Sequence, residues 1–134
     1  MNARIFTSHL NVTYSCHYHI VWCPKYRRKV LVDGVDDRLK QILKDVVAEV
    51  PNAEIEALAV LSDHVHLLLD LDPHYPLHKL IKLLKGRSSR LLRQEFPHLK
   101  TRLPTLWTNA YFVATAGGAP LAVIKQYVEN QKRV

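Results

Sequence analysis

The stretch from 53 to 71, "AEIEALAVLSDHVHLLLDL", constrains this chain most. Two apolar runs, 53–61 and 65–71, flank the polar triplet Ser62-Asp63-His64. Each run has the length of a strand and is too short for a free-standing helix, so the pair reads as a β-hairpin. In that hairpin Asp63 has no role beyond the turn.

Helical periodicity stands on both sides of it. Residues 35–50 place Leu39, Ile42, Leu43, Val46, Val47 and Val50 at three- and four-residue steps, with Asp36 and Asp37 near the start and Pro51 after the end. Residues 77–95 carry a second stripe, Leu77, Leu80, Ile81, Leu84, Leu91 and Leu92. "YSCHYHIVWCP", 14–24, reads as a first strand and "LWTNAYFVATA", 106–116, as the last. Gly117-Gly118 breaks the chain, and a closing helix spans about 119–132 with Pro120 in its first turn.

The order β-α-β-β-α-β plus one helix predicts an α+β fold: a ferredoxin-like, RRM-like antiparallel sheet in one domain spanning 1–134. Two helices cover one face of such a sheet. The other stays open for nucleic acid, as in RNA-recognition modules, unless the closing helix or a partner subunit covers it.

Net charge is +7 and the pI about 9.6, which favours polyanionic partners. No run of eighteen apolar residues occurs, and "MNARIFTSHLNVT" lacks an apolar stretch long enough for a secretory signal, so no membrane contact and a cytoplasmic location are expected. Cys16 and Cys23 are seven apart in one strand and point to opposite faces, so they are read as reduced.

Strand alternation sends Val65, Leu67 and Leu69 to the core and His64, His66, Leu68 and Asp70 to the open face. Two imidazoles at i and i+2 can share a divalent cation. The pattern alone is weak, since His17-Tyr18-His19 repeats it. His17 and His19 are read as hydrogen-bonded, partly exposed side chains, and His74 and His78 as surface residues.

On the closing helix, Tyr127 and Gln131 are four apart and share a face. A tyrosine there is ordinarily a packing residue with its hydroxyl in water. Beside a metal site it suits attack on a phosphodiester, because the phosphotyrosine keeps the energy of the broken bond for rejoining. Gln131 offers a neutral oxygen suited to Mg²⁺ or Mn²⁺.

Five blocks in order, "YHIVWCPKYRRKVL", "DHVHLLL", "LKGRSSRLL", "LWTNAYFVATAGG" and "IKQYVENQ", resemble the single-tyrosine HUH transposases of the insertion sequence 200/605 family. The resemblance covers about residues 10–131. It implies that His64-Val65-His66 is the HUH motif binding the catalytic metal, that Gln131 is the third ligand, and that Tyr127 is the nucleophile forming a 5′-phosphotyrosine with single-stranded DNA. It implies that Gly117-Gly118 is the joint before the catalytic helix. It further implies a homodimer with shared active sites, hairpin substrates at the element's ends, and a prokaryotic, nucleoid-associated setting.

Between Lys79 and Arg93 lie Lys79, Lys82, Lys85, Arg87, Arg90 and Arg93 with no acid, and a solvated face would mix signs. Phosphate contacts are therefore expected from Lys82, Lys85, Arg87 and Arg90, and from Lys25, Arg27 and Arg28 of "KYRRK". Trp22, Tyr26, Trp107, Tyr111 and Phe112 are core, interface or base-stacking residues. Three rivals remain at this level: a domesticated nickase acting on genomic repeats, a non-catalytic nucleic-acid-binding module, and a small-molecule regulator, which leaves the one-signed stretch unexplained.

Overall fold

A computed structural model of the chain describes residues 7–9, 12–14, 16–115 and 129. A short antiparallel pair, β1 (Thr7–His9) and β2 (Val12–Tyr14), comes first; no sequence signal announces it. Then follow β3 (Cys16–Trp22), α1 (Val35–Ala48), β4 (Ala53–Leu61), β5 (His64–Leu71), α2 (Leu77–Glu95), a short α3 (His98–Arg102) and β6 (Phe112–Thr115). The main sheet runs β4-β5-β3-β6 with every neighbouring pair antiparallel. This is the expected split arrangement.

Each element forms for a local reason. Gly34 sits at φ 95 immediately before α1, a left-handed conformation that a side chain resists, and Asp36 and Asp37 follow in the positive first turn of the helix. In β4 the pairing slips between Ile55 and Ala57. The slip changes the side-chain parity, so Ile55, Leu58 and Val60 all reach the core.

The core lies on one side of the sheet. Ile20, Trp22, Val65, Leu67 and Leu69 are fully buried against Leu39 and Leu43 of α1 and Leu80 and Leu84 of α2. Each such side chain contributes about 1.5–3 kcal/mol relative to exposure, which commits β5 to this register. A one-residue slip would bury the histidines and expose Val65, Leu67 and Leu69.

The last strand departs from expectation. Only Phe112–Thr115 form β6, while Trp107 makes an isolated antiparallel bridge to Pro24. Three steps along one chain, from Val21 to Pro24, answer to five along the other, from Phe112 to Trp107. Thr108 still donates its N–H to the Cys23 carbonyl at 3.1 Å, and the surplus bulges out at 109–111. The Lys85 ammonium holds this segment, donating to the carbonyls of Thr108 and Ala110 at 2.7 and 3.3 Å. Among the described residues no helix is long and apolar enough to cross a membrane. Both cysteines are free, Cys23 buried and Cys16 half-buried.

Candidate functional site

The register of β5 with its neighbours builds a histidine-bearing face. Opposite His66 stand Val21 of β3 and Ala59 of β4; opposite Leu68 stand His19 and Ala57. His64, His66 and Leu68 thus share the face turned away from the helices, as the alternation predicts. Asp70 shares it too, but is fully buried.

Each histidine of the pair has a distinct neighbour. His64 Nδ1 donates to Asp63 Oδ1 at 2.9 Å. Arg27 Nε donates to Asp63 Oδ2 at 3.0 Å, and its Nη1 lies 3.3 Å from Glu129 Oε1. Asp63 therefore orients the first histidine and is itself oriented by Arg27. This corrects the reading of Asp63 as a turn residue only. A carboxylate beside an imidazole is easily taken for turn chemistry in a sequence, because the contact depends on side-chain direction.

His66 Nε2 lies 3.0 Å from His19 Nδ1, with ring centroids 5.2 Å apart. His19 is thus the hydrogen-bonded, partly exposed side chain expected from the sequence, and its partner is His66. Burial lowers the pKa of His66, and the neighbouring His19 and His64 add to the effect, which favours the neutral ring. His17 instead pairs with Glu56. His74 lies against Asp72 at 3.1 Å, and His78 is exposed, as expected of surface residues.

The donor set suits a divalent cation. With its Nδ1 proton engaged by Asp63, His64 keeps an Nε2 lone pair. Among the described residues no group of three His, Cys, Asp or Glu side chains is placed to hold a metal. The expected third ligand, Gln131, the expected nucleophile Tyr127 and the joint Gly117-Gly118 lie outside the described residues. Of the closing helix only Glu129 is described, and it is helical.

The basic residues divide. Lys85 is turned inward to the Thr108 and Ala110 carbonyls, and burial lowers its pKa. Arg87 pairs with Glu49, Arg93 donates to the carbonyls of Leu103 and Pro104, and Arg27 is held by Asp63 and Glu129. Lys82, Arg90 and Arg28 are exposed, and the Lys25 ammonium lies 5.1 Å from the Tyr26 ring centroid. The unbroken positive run of the sequence is thus partly spent on structure. Lys82 and Lys85 line a cleft of about 400 Å³ between α2 and the 105–111 segment, with Gly86, Trp107, Asn109 and Tyr111. Trp22 and Trp107 pack edge to face in the core, and Tyr26 and Tyr111 are exposed.

Comparison with known proteins agrees with this architecture. Residues 12–131 match the family described as "Transposase IS200 like". The chain is 40% identical over 120 residues to the ISDra2 transposase TnpA of Deinococcus radiodurans, covering 88% of this chain and 85% of that one. It is 32% identical over 120 residues to the transposase of insertion sequence element IS200 from Salmonella typhimurium, covering 88% and 78%. A crystallised Deinococcus radiodurans R1 protein described as a transposase superposes with a TM-score of 0.83 at 40% identity, over 93% of this chain and 97% of that one. A REP-associated tyrosine transposase bound to a REP hairpin shares the fold at a TM-score of 0.52 and 17% identity, over 85% and 62%.

Proposed function

The chain belongs to the IS200-like transposase family, and from that premise we propose that it cuts and rejoins single-stranded DNA at insertion-sequence ends through a 5′-phosphotyrosine on Tyr127. The observation that carries this reading is the pair His64 and His66 on the sheet face away from the helices, with His64 fixed by Asp63.

His64 and His66, joined by Gln131, would hold Mg²⁺ or Mn²⁺. The bound ion would polarise the scissile phosphate and stabilise the departing oxygen. The Tyr127 hydroxyl forms the new P–O bond, the bond to the 3′ oxygen breaks, and a 3′ hydroxyl leaves. Because one phosphoester replaces another, rejoining needs no nucleotide cofactor. Glu129, two positions after Tyr127 in sequence, contacts Arg27, which contacts Asp63, which contacts His64. That chain of contacts supports a closing helix that serves the histidine pair.

Exposed Lys82, Arg90 and Arg28, together with Lys25, would contact phosphates, and Tyr111 and the α2 cleft would receive unpaired bases. The substrate is a hairpin at the element's end. The assembly is a homodimer with shared sites, and Gly117-Gly118 is the joint of the closing helix.

The test is incubation with 3′-labelled single-stranded DNA carrying the element's own end, with Mg²⁺ or Mn²⁺, beside Tyr127→Phe and EDTA controls. The expected result is a labelled covalent protein band absent from both controls. A band that survives in Tyr127→Phe would remove Tyr127 as nucleophile. Tight binding without any band would reduce the protein to a binding module.

A further inference from the structure

We propose that His19 is a positioning residue of the metal pair, serving His66 as Asp63 serves His64. The proposal rests on the reading of His64 and His66 as metal ligands.

A neutral imidazole carries one N–H and one lone pair, so the two nitrogens of a ring have opposite roles. The contact between Asp63 Oδ1 and His64 Nδ1 can run only one way, since a carboxylate accepts. It places the proton on Nδ1 and leaves Nε2 as the ligating atom. The contact between His19 Nδ1 and His66 Nε2, at 3.0 Å, can run either way. If His19 donated, the His66 lone pair would be consumed and its other nitrogen would bear the proton. The ring could then bind no cation without breaking the bond. If His66 donates, its proton is held on Nε2 and the Nδ1 lone pair is free. Only the second arrangement lets His66 serve as a ligand.

The surroundings favour a lasting contact. His19 is opposite Leu68, one alternation step from the Val21–His66 pair, so the two rings are diagonal neighbours on one sheet face. They line a recess of about 180 Å³ with Ala57, Leu58, Ala59 and Leu68. Its walls are apolar and two are only methyl groups, which leaves room for both rings and little to compete for the bond. Non-ligand partners of this kind typically change metal affinity by about 10–100-fold.

Two measurements on the full chain test this. In metal-free protein, ¹⁵N-edited NMR of the imidazoles above the histidine titration range should show His66 protonated on Nε2 and His64 on Nδ1. A Mn²⁺ titration followed by electron paramagnetic resonance should then show binding weakened about 10–100-fold in His19→Ala. His19→Asn should recover most of the loss, because the asparagine Oδ1 stands where the histidine Nδ1 stood and accepts the same hydrogen bond. Amide spectra of both variants check that the sheet is intact. His66 protonated on Nδ1, or Mn²⁺ binding in His19→Ala equal to or tighter than wild type, would overturn the proposal. So would His19→Asn binding as weakly as His19→Ala in a folded protein. Wild-type protein that binds no Mn²⁺ would sink the metal reading itself, whereas equal binding by wild type and His19→Ala would sink only the role of His19.

Discussion

The Asp63 carboxylate lies 2.9 Å from His64 Nδ1 through one oxygen and 3.0 Å from Arg27 Nε through the other. Arg27 is held there with a left-handed backbone at φ 51, a conformation costly for a residue with a side chain unless its contacts hold it. The carboxylate thus sets the tautomer of His64 and is itself clamped. Asp63→Ala should lower Mn²⁺ affinity by about 10–100-fold with the fold intact, measured by calorimetry. Unchanged affinity would take Asp63 out of the metal site.

Lys82 and Lys85 are three apart on one helix and do different work. Lys82→Ala should weaken DNA binding and reduce the slope of log affinity against log salt by about 1. Lys85→Met should leave that slope alone and lower folding stability by about 1–3 kcal/mol, because the Thr108 carbonyl loses its donor. Burial lowers the Lys85 pKa from its ordinary 10.5, so the unfolded chain holds that proton more tightly than the folded one. Wild-type stability should therefore rise relative to Lys85→Met as pH climbs from the lowered value toward 10.5. Urea melts at pH 7 and pH 10 read both effects. A gap that narrows with pH would show the carbonyls outweighing burial.

Trp107 Nε1 donates to Ser88 Oγ at 3.0 Å in the interior, tying the displaced strand segment to α2. Ser88→Ala would leave a buried indole N–H without its acceptor. The expected cost is about 1–3 kcal/mol by denaturant unfolding. A neutral substitution would mean that the 105–108 segment shifts to find another acceptor.

The two thiols should differ in reactivity. Burial pushes the Cys23 pKa up to about 12, and the nearby Asp63 carboxylate adds to it. At pH 8 essentially no Cys23 thiolate exists, so native protein should take alkylating reagent at Cys16 alone, and at both sites once unfolded. Mass spectrometry of labelled peptides decides it. Native labelling at Cys23 would mean that β3 opens at its end.

Shared active sites would make two dead proteins complement each other. His64→Ala and Tyr127→Phe, each inactive alone, should regain a fraction of strand cleavage when mixed under conditions of subunit exchange. Failure to do so, with exchange shown independently, would place both elements of each site in one chain.

Much of the fold was readable because its signals are local. The α2 stripe marks Leu77–Glu95, and the hairpin pattern marks Ala53–Leu61 and the strand that follows it. Periodicity is carried by neighbouring residues, so it survives without knowledge of partners. The break in the last strand was not readable. The displaced segment is held by a lysine that the sequence shows only as a positive charge.

The amino-acid sequence by itself determined the order of the four main strands and two long helices, the face carrying His64 and His66, and the family. All of these follow from pattern along the chain. Tertiary structure alone decided what stands beside each functional group. It brought His19 to His66 across 47 positions, turned Asp63 toward His64 and Arg27, and drew Lys85 inward while leaving Lys82 in solvent. The physical reason is that a charge or a ring nitrogen acts through the atom it faces, and strand register and side-chain direction choose that atom.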